Sequence, residues 1–95
     1  MSEDSGLRFT NTRFEIERGG HTAFIDYRLQ NGLLDLLHTE VPAELRGSGV
    51  GAELVHSTLT WAREKGLKVL PTCPFVAAFL RRHREFADLA VKRSA

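Results

Sequence analysis

Three glycines at alternate positions, leading directly into an apolar-periodic segment, constrain this chain more than any other feature. The run is Arg46-Gly47-Ser48-Gly49-Val50-Gly51. Glycine adopts positive φ without steric cost and lets the backbone approach a ligand closely. A helix that begins here directs the free N–H groups of its first turn, and the positive end of its dipole, back into the loop. The sequence therefore predicts an anion site, and a phosphate is the anion that such sites commonly hold.

The spacing of this loop differs from that of two common phosphate loops. It lacks the Gly-Lys-Ser/Thr ending of a Walker loop, and it is shorter than the Gly-x-Gly-x-x-Gly of dinucleotide-binding folds. It fits Arg-x-x-Gly-x-Gly, in which Arg46 adds a guanidinium fork suited to phosphate oxygens. The alternative interpretation is that the glycines form only a structural turn.

Three β-strands are predicted before the loop. Apolar and polar residues alternate over residues 12–18 and 21–29, and Gly19-Gly20 between them is a two-residue turn signal. A second turn at Asn31-Gly32 leads into a third strand over residues 33–41.

Simple alternation assigns the side chains of the third strand to two faces. One face would carry Leu37, Thr39 and Val41. The other would carry Leu36, His38 and Glu40. His38 and Glu40 are therefore predicted to be neighbours.

Two helices and a further strand are predicted after the loop. A helix over residues 49–65 would end at Gly66 and bury one apolar stripe, formed by Val50, Leu54, Val55, Thr58, Leu59 and Ala62. Residues 67–70 form a short strand, which we expect to pair parallel to the third strand through a right-handed crossover. A second helix begins at Pro74 after a cap at Thr72 or Cys73, and would bury Phe75, Val76, Phe79 and Leu80. Residues 86–91 fit either an edge strand or a short helix.

Two further segments give the loop a context: His38-Thr39-Glu40-Val41-Pro42 before it and Cys73-Pro74-Phe75 after the first helix. Together the three segments resemble the GNAT superfamily of N-acetyltransferases. In a chain of 95 residues they resemble its minimal single-domain members, called YjdJ-type or N-acetyltransferase-domain-containing proteins. The resemblance covers most of residues 12–90. It implies an α/β (α+β) fold with a mixed, mostly antiparallel sheet, a central splayed parallel strand pair and two main helices.

The same resemblance implies acetyl-CoA as cosubstrate, with its pantetheine arm between the splayed strands. We expect a flexible N-terminus at residues 1–11, one acetyl-CoA-binding domain at residues 12–91 and a tail at residues 92–95. Longer relatives carry extra helices near the N-terminus that wall off the acceptor site. Because this chain lacks them, its acceptor side is predicted to be open.

Coenzyme-binding residues are carried over from the matching segments. They are Thr39, Val41, Arg46, Gly47, Ser48, Gly49, Val50, Gly51, Ala52, Cys73 and Phe75. In the superfamily a backbone N–H on the strand before the loop polarises the thioester carbonyl, and the matching strand end here is Thr39-Glu40-Val41.

Catalysis would need a base for the incoming amine and a proton for the departing thiolate. Glu40 is the first candidate base and His38 the second, although both also fit a solvated strand face. Cys73, at a helix N-terminus that stabilises a thiolate, could accept the acetyl group covalently or donate a proton to the coenzyme thiolate. It also fits a small buried residue. Many relatives use a tyrosine on the last helix as the acid, and Phe79 here cannot donate a proton.

Composition and charge limit the partners, metal sites and membrane association that we expect for this chain. A net charge of +1 gives no reason to expect a nucleic-acid partner. A single cysteine permits no internal disulfide and no cysteine-built metal site. The polar start is unlike a signal peptide, and no run is long enough for a membrane span. We predict a cytoplasmic monomer or weak dimer without a metal or a membrane partner.

The predicted function is acetyl transfer from acetyl-CoA to an exposed amine, for example a lysine side chain of a protein. The alternative is a non-catalytic module that binds or senses acyl-CoA.

Overall fold

The computed structural model describes residues 6–91. In chain order its elements are β1 (Arg8–Phe9), β2 (Arg13–Arg18), β3 (His21–Gln30), β4 (Leu33–Glu40), a 3₁₀ helix (Ala43–Leu45), α1 (Val50–Glu64), β5 (Lys68–Leu70), α2 (Pro74–Arg82) and a second 3₁₀ helix (Arg84–Leu89). None of these helices is long and apolar enough to cross a membrane. The predicted tail and the first five residues lie outside the described range.

The strands form one mixed sheet in the order β1-β2-β3-β4-β5. Neighbours from β1 to β4 are antiparallel, and β4 pairs parallel with β5. The predicted mostly antiparallel sheet with one parallel pair and two main helices is confirmed. The parallel pair lies at one side of the described sheet and not at its centre, because the chain after α2 forms a 3₁₀ helix and adds only a single bridge from Ala90 to Val69.

A short strand lies within the segment that was predicted to be a flexible N-terminus. Arg8 and Phe9 pair with Glu15 and Phe14 of β2. The ring of Phe9 lies 5.3 Å from the ring of Trp61, a residue of α1. Trp61 thus packs α1 against this edge of the sheet. The sequence did not indicate this strand, since two residues are too short to show an alternation.

One apolar core joins a single face of the sheet to both helices. The alternation predicted on β2 and β3 is confirmed, because Phe14, Ile16, Ala23 and Ile25 are all fully buried. The predicted stripe of α1 is also buried along its whole length. The opposite face of the sheet carries charged side chains such as Arg13, whose Nε donates to Asp26 Oδ1 at 3.0 Å.

A β-bulge interrupts the regular alternation of β4. Leu36 is paired with Tyr27 and His38 with Asp26, so Leu37 is an extra residue between two consecutive pairs. Leu36 is fully buried, and the prediction that it shares a face with His38 and Glu40 is wrong. A bulge bends its strand and changes the direction of the side chains that follow it. Here it turns Thr39, the partner of buried Ile25, towards the core.

Candidate functional site

The site lies where β4 and β5 part. β5 pairs only with residues 33–35, whereas β4 continues to Glu40. Pro71 follows β5 directly and has no N–H with which to continue the ladder. Beyond it, the Cys73 N–H donates to the Leu36 carbonyl at 2.8 Å, and the chain then turns away into α2. A gap is left between the end of β4 and the first turn of α2.

This gap opens into a cavity of about 610 Å³, a size typical of sites for small-molecule ligands. Its lining comes from the end of β4, the glycine loop, the start of α1 and the start of α2. The lining residues are Thr39, Glu40, Val41, Leu45, Arg46, Gly47, Gly49, Gly51, Ala52 and Phe75. The structure thus brings most of the predicted binding residues around one cavity.

Three of the predicted binding residues, Ser48, Val50 and Cys73, do not line it. Ser48 holds the loop together, since its Oγ donates to the Leu45 carbonyl and accepts from the Val50 N–H at 3.3 Å. Val50 is part of the core, with 3% of its surface exposed. Leu45 lines the cavity but was not predicted, and the only signal for it in the sequence is its position directly before Arg46.

The loop presents backbone donors to the cavity. Gly47 and Gly49 have φ of 82° and 89°, a region that only glycine adopts easily. Gly49 is the N-cap of α1, and the helix has no side-chain cap. Since the ladder of α1 begins with the Glu53 N–H donating to the Gly49 carbonyl, the N–H groups of Gly51 and Ala52 have no partner within the helix.

Arg46 adds a positive charge beside these donors. Its Nε donates to the Val41 carbonyl at 3.1 Å, which fixes the guanidinium at the rim between β4 and the loop. The backbone donors, the helix dipole and the guanidinium all favour a bound anion. The arrangement has the chemistry of a phosphate or pyrophosphate site.

Gly51 is required for close packing. A Cβ at this position would lie 3.0 Å from Phe75 Cζ and 3.3 Å from Val41 Cγ2. The first turn of α1 therefore rests directly on the ring of Phe75. That ring is 44% exposed and forms one wall of the cavity, so the prediction that it is buried with the rest of the α2 face is wrong.

Glu40 and His38 lie side by side, as predicted from the strand alternation. His38 Nε2 is 2.9 Å from Glu40 Oε1, and both side chains are about half exposed. Only Glu40 lines the cavity. The pair therefore connects a carboxylate of the cavity lining to an exposed imidazole.

Cys73 is buried and does not line the cavity. It is the N-cap of α2, as predicted, and only 3% of its surface is exposed. Its Sγ lies 3.3 Å from the hydroxyl oxygen of Thr39, which does line the cavity. Phe79 is buried and stacks on the ring of His83 at 3.9 Å, so no hydroxyl comes from that position.

Within residues 6–91, no cluster of three or more His, Cys, Asp or Glu side chains is arranged to hold a metal ion. The polar groups around the cavity are instead backbone donors, one guanidinium, one carboxylate and one hydroxyl. This set suits binding of an anionic ligand together with acid–base chemistry at its other end.

Comparison with known proteins identifies the architecture. The family model described as GCN5-related N-acetyl-transferase matches residues 13–89. The structure is similar to that of a GCN5-like protein from Staphylococcus aureus solved by NMR in solution, with a TM-score of 0.73 and 27% identity. That match covers 98% of this chain and 94% of the other.

Curated relatives match over a shorter length. The protein NATD1 of Bos taurus, Mus musculus and Homo sapiens is 33% identical over 51 residues, or 54% of this chain. The match spans a little less than half of each NATD1 protein. Because the family model extends over most of the sequence and the fold agrees with it, the chain belongs to the GCN5-related N-acetyltransferase family.

Proposed function

We propose that this domain binds acetyl-CoA in the cavity and transfers the acetyl group to an exposed primary amine, for example a lysine side chain of a protein. The observation that carries the proposal is the start of α1, where free N–H groups and Arg46 meet at one end of a cavity that extends to Glu40. An acyltransferase of this family needs such an anion site beside a base.

The lining suggests how the coenzyme would lie. Its pyrophosphate would bind at Gly47, Gly49, Gly51 and Ala52, with Arg46 at the rim. The pantetheine arm would follow the end of β4 through the gap towards Thr39. A backbone N–H of this strand end would then polarise the thioester carbonyl, which stabilises the charge that develops there during attack.

The acceptor would approach from the side on which Glu40 is exposed. Glu40 would take the proton of the attacking amine and His38 would pass it to solvent. The nitrogen lone pair then forms the new bond to the carbonyl carbon, and the carbon–sulfur bond breaks with its electron pair leaving on sulfur. The lysine acceptor, the cytoplasmic location, the monomeric or weakly dimeric state and the YjdJ subtype stay predictions.

A non-catalytic acyl-CoA-binding module is the second candidate. It is favoured by one observation: Phe79, where many relatives carry a tyrosine acid, is buried and has no proton to give. In this case the cavity would bind the coenzyme, and Glu40 would be only a surface carboxylate.

A thiol-release assay with acetyl-CoA and a panel of amines and basic peptides separates the two candidates. The transferase proposal expects free coenzyme thiol to appear only when an amine is present. Arg46→Gln should weaken acetyl-CoA binding about 10- to 100-fold, since a hydrogen bond to a charged group contributes roughly 1.5–3 kcal/mol. Arg28→Gln, at an exposed arginine outside the cavity lining, is the matched control.

Each outcome of this assay has a defined meaning. Binding without amine-dependent release supports the binding module. No binding at millimolar coenzyme contradicts both candidates and leaves the glycine loop as a structural turn.

A further inference from the structure

We propose that the hydroxyl of Thr39 is the acid of the reaction, and that it is recharged by the buried thiol of Cys73. The inference rests on the proposed transferase function. It assigns Thr39 as a catalytic residue, because its hydroxyl would touch the departing sulfur, and Cys73 as a residue that acts only through Thr39.

Thr39 and Cys73 differ in their access to the cavity. Thr39 lines the cavity, whereas Cys73 does not and is 3% exposed. The Thr39 Oγ1 and the Cys73 Sγ are 3.3 Å apart, within hydrogen-bond distance for sulfur, and either can be the donor. The threonine hydroxyl therefore offers a path by which a proton on the thiol can reach a ligand in the cavity.

The position of Cys73 outside the cavity lining also argues against a covalent acetyl-cysteine. Nucleophilic attack would require the sulfur itself to contact the thioester carbonyl carbon. Cys73 is 3% exposed and does not line the cavity, so its sulfur is not presented to a ligand there, whereas the Thr39 hydroxyl is. Of the two roles predicted for Cys73, the geometry points to proton donation.

The backbone around Thr39 and Cys73 brings these two residues together. The Cys73 N–H is bonded to the Leu36 carbonyl at 2.8 Å, which holds the start of α2 against β4. The bulge at Leu37 turns Thr39 to the side of the sheet that faces Cys73. Without that extra residue, the side chain at position 39 would point to the opposite face. The backbone hydrogen bond of Cys73 and the bulge in β4 thus bring the two side chains together.

The proton balance of the step is simple. When the carbon–sulfur bond breaks, the coenzyme sulfur takes the hydroxyl proton of Thr39, and the Thr39 oxygen takes the thiol proton of Cys73 in the same event. The resulting Cys73 thiolate lies at the N-terminus of α2. It regains a proton from solvent through the Thr39 hydroxyl, and this proton balances the one that Glu40 takes from the acceptor amine.

The relay supplies the proton that Phe79, which has no hydroxyl, cannot donate. The family reaction needs a proton at the leaving sulfur, and the ring at position 79 is buried without a hydroxyl. Thr39 offers a hydroxyl from a different element, at the end of β4.

The test compares two acetyl donors that differ only in the leaving atom. A selenolate leaves without protonation at neutral pH, so the selenoester analogue of acetyl-CoA should not need the acid. Thr39→Val should lower kcat with acetyl-CoA about 100-fold, the lower end of what acid–base catalysis contributes. With the selenoester its loss should be less than about threefold. Thr39→Ser, which keeps the hydroxyl, should stay within about fivefold of the wild type on both donors.

Further variants separate a relay from a structural role. Cys73→Ala should show the same donor-dependent loss as Thr39→Val, and the double variant should lose no more than either alone, because both act on one path. Thr22→Val, at a strand threonine outside the cavity lining, is the control and should behave as wild type. All rates are compared at saturating donor, so that a change in the Kd of a variant for the donor does not enter kcat.

Three results would overturn the relay. They are a Thr39→Val enzyme with wild-type kcat on acetyl-CoA, an equal loss on both donors, and an acetylated Cys73 trapped by acid quench during turnover. A wild-type protein that binds coenzyme but transfers from neither donor would instead reject the proposed function, and the relay with it.

Discussion

At the scale of single residues, the three glycines of the loop are required for two different physical reasons. A Cβ added at Gly47 or Gly49 would meet open space, so their positive φ is what excludes other residues. Gly51 has helical φ, and the constraint there is its contact with Phe75 and Val41. The sequence pattern predicts the first reason, whereas the second depends on a contact between segments 24 residues apart.

Gly51→Ala should therefore separate binding from stability. Alanine gains up to about 1 kcal/mol of helix propensity, which offsets part of the cost of overlap with Phe75. The half-exposed ring can relieve the overlap only by moving into the cavity. We expect thermal stability to change by less than about 1 kcal/mol and acetyl-CoA affinity, measured by calorimetry, to fall about tenfold.

The double variant Gly51→Ala/Phe75→Leu is the control, since the smaller side chain removes the overlap and should recover part of the affinity. An unchanged affinity for Gly51→Ala would show that the coenzyme does not pass between α1 and Phe75.

Glu40→Gln tests the base at the same scale. The amide keeps the size of the side chain but cannot take a proton from the acceptor amine. We expect kcat/KM for acetyl transfer to fall about 100-fold with little change in acetyl-CoA affinity, as measured by thiol release over pH 6–9. Glu44→Gln, on the neighbouring 3₁₀ helix and outside the cavity lining, is a matched control. A Glu40→Gln protein with the full rate at every pH would remove Glu40 from the mechanism.

At the scale of elements, the bulge in β4 and the early end of β5 together create the site. The bulge turns Thr39 inward, and Pro71 ends the parallel ladder after three residue pairs. Pro71 can be identified from the sequence alone as the end of a strand. The bulge cannot be identified in this way, because leucines occupy both positions 36 and 37 and the apolar pattern is compatible with either of them facing the core. Only the pairing with β3 decides the register.

The 3₁₀ helix after α2 is held to α1 by a bidentate ion pair. Arg63 donates to both carboxylate oxygens of Asp88, at 3.0 and 2.9 Å, and to the Glu85 carbonyl at 2.7 Å. Hydrogen bonding from Arg63 lowers the pKa of Asp88 below its ordinary value. This contact fixes a segment whose sequence did not distinguish a strand from a helix.

The ion pair predicts a pH dependence of stability. Because the pKa of Asp88 is lower in the folded protein than in the unfolded chain, its stabilisation is fully present above the unfolded value of about 3.9 and is lost as pH falls through the folded value. Urea unfolding should find Asp88→Asn less stable than wild type at pH 7, with the difference shrinking below about pH 4. Asp35→Asn is a comparison at a carboxylate that does not contact Arg63. An equal difference for Asp88→Asn at both pH values would contradict the coupling.

At the scale of the whole molecule, the domain consists of one core on one side of one sheet, with the cavity at the border of that core. Alternation and capping signals were sufficient for β2, β3, α1 and α2, because each buries a regular stripe. They were not sufficient for β1, which consists of two residues and depends on Phe9 packing against Trp61. These signals also could not show that Thr39 contacts Cys73, since the two residues are 34 apart in the sequence.

An amide-shift NMR titration of the protein with acetyl-CoA tests whether the cavity is the proposed coenzyme site. If it is, saturable shifts are expected at Gly47, Gly49, Gly51 and Ala52, together with shifts around Thr39. The amides of Gly20 and Gly32, in turns outside the lining, should not move. The absence of shifts at millimolar coenzyme, or shifts confined to residues outside the cavity, would rule out acetyl-CoA binding at this site.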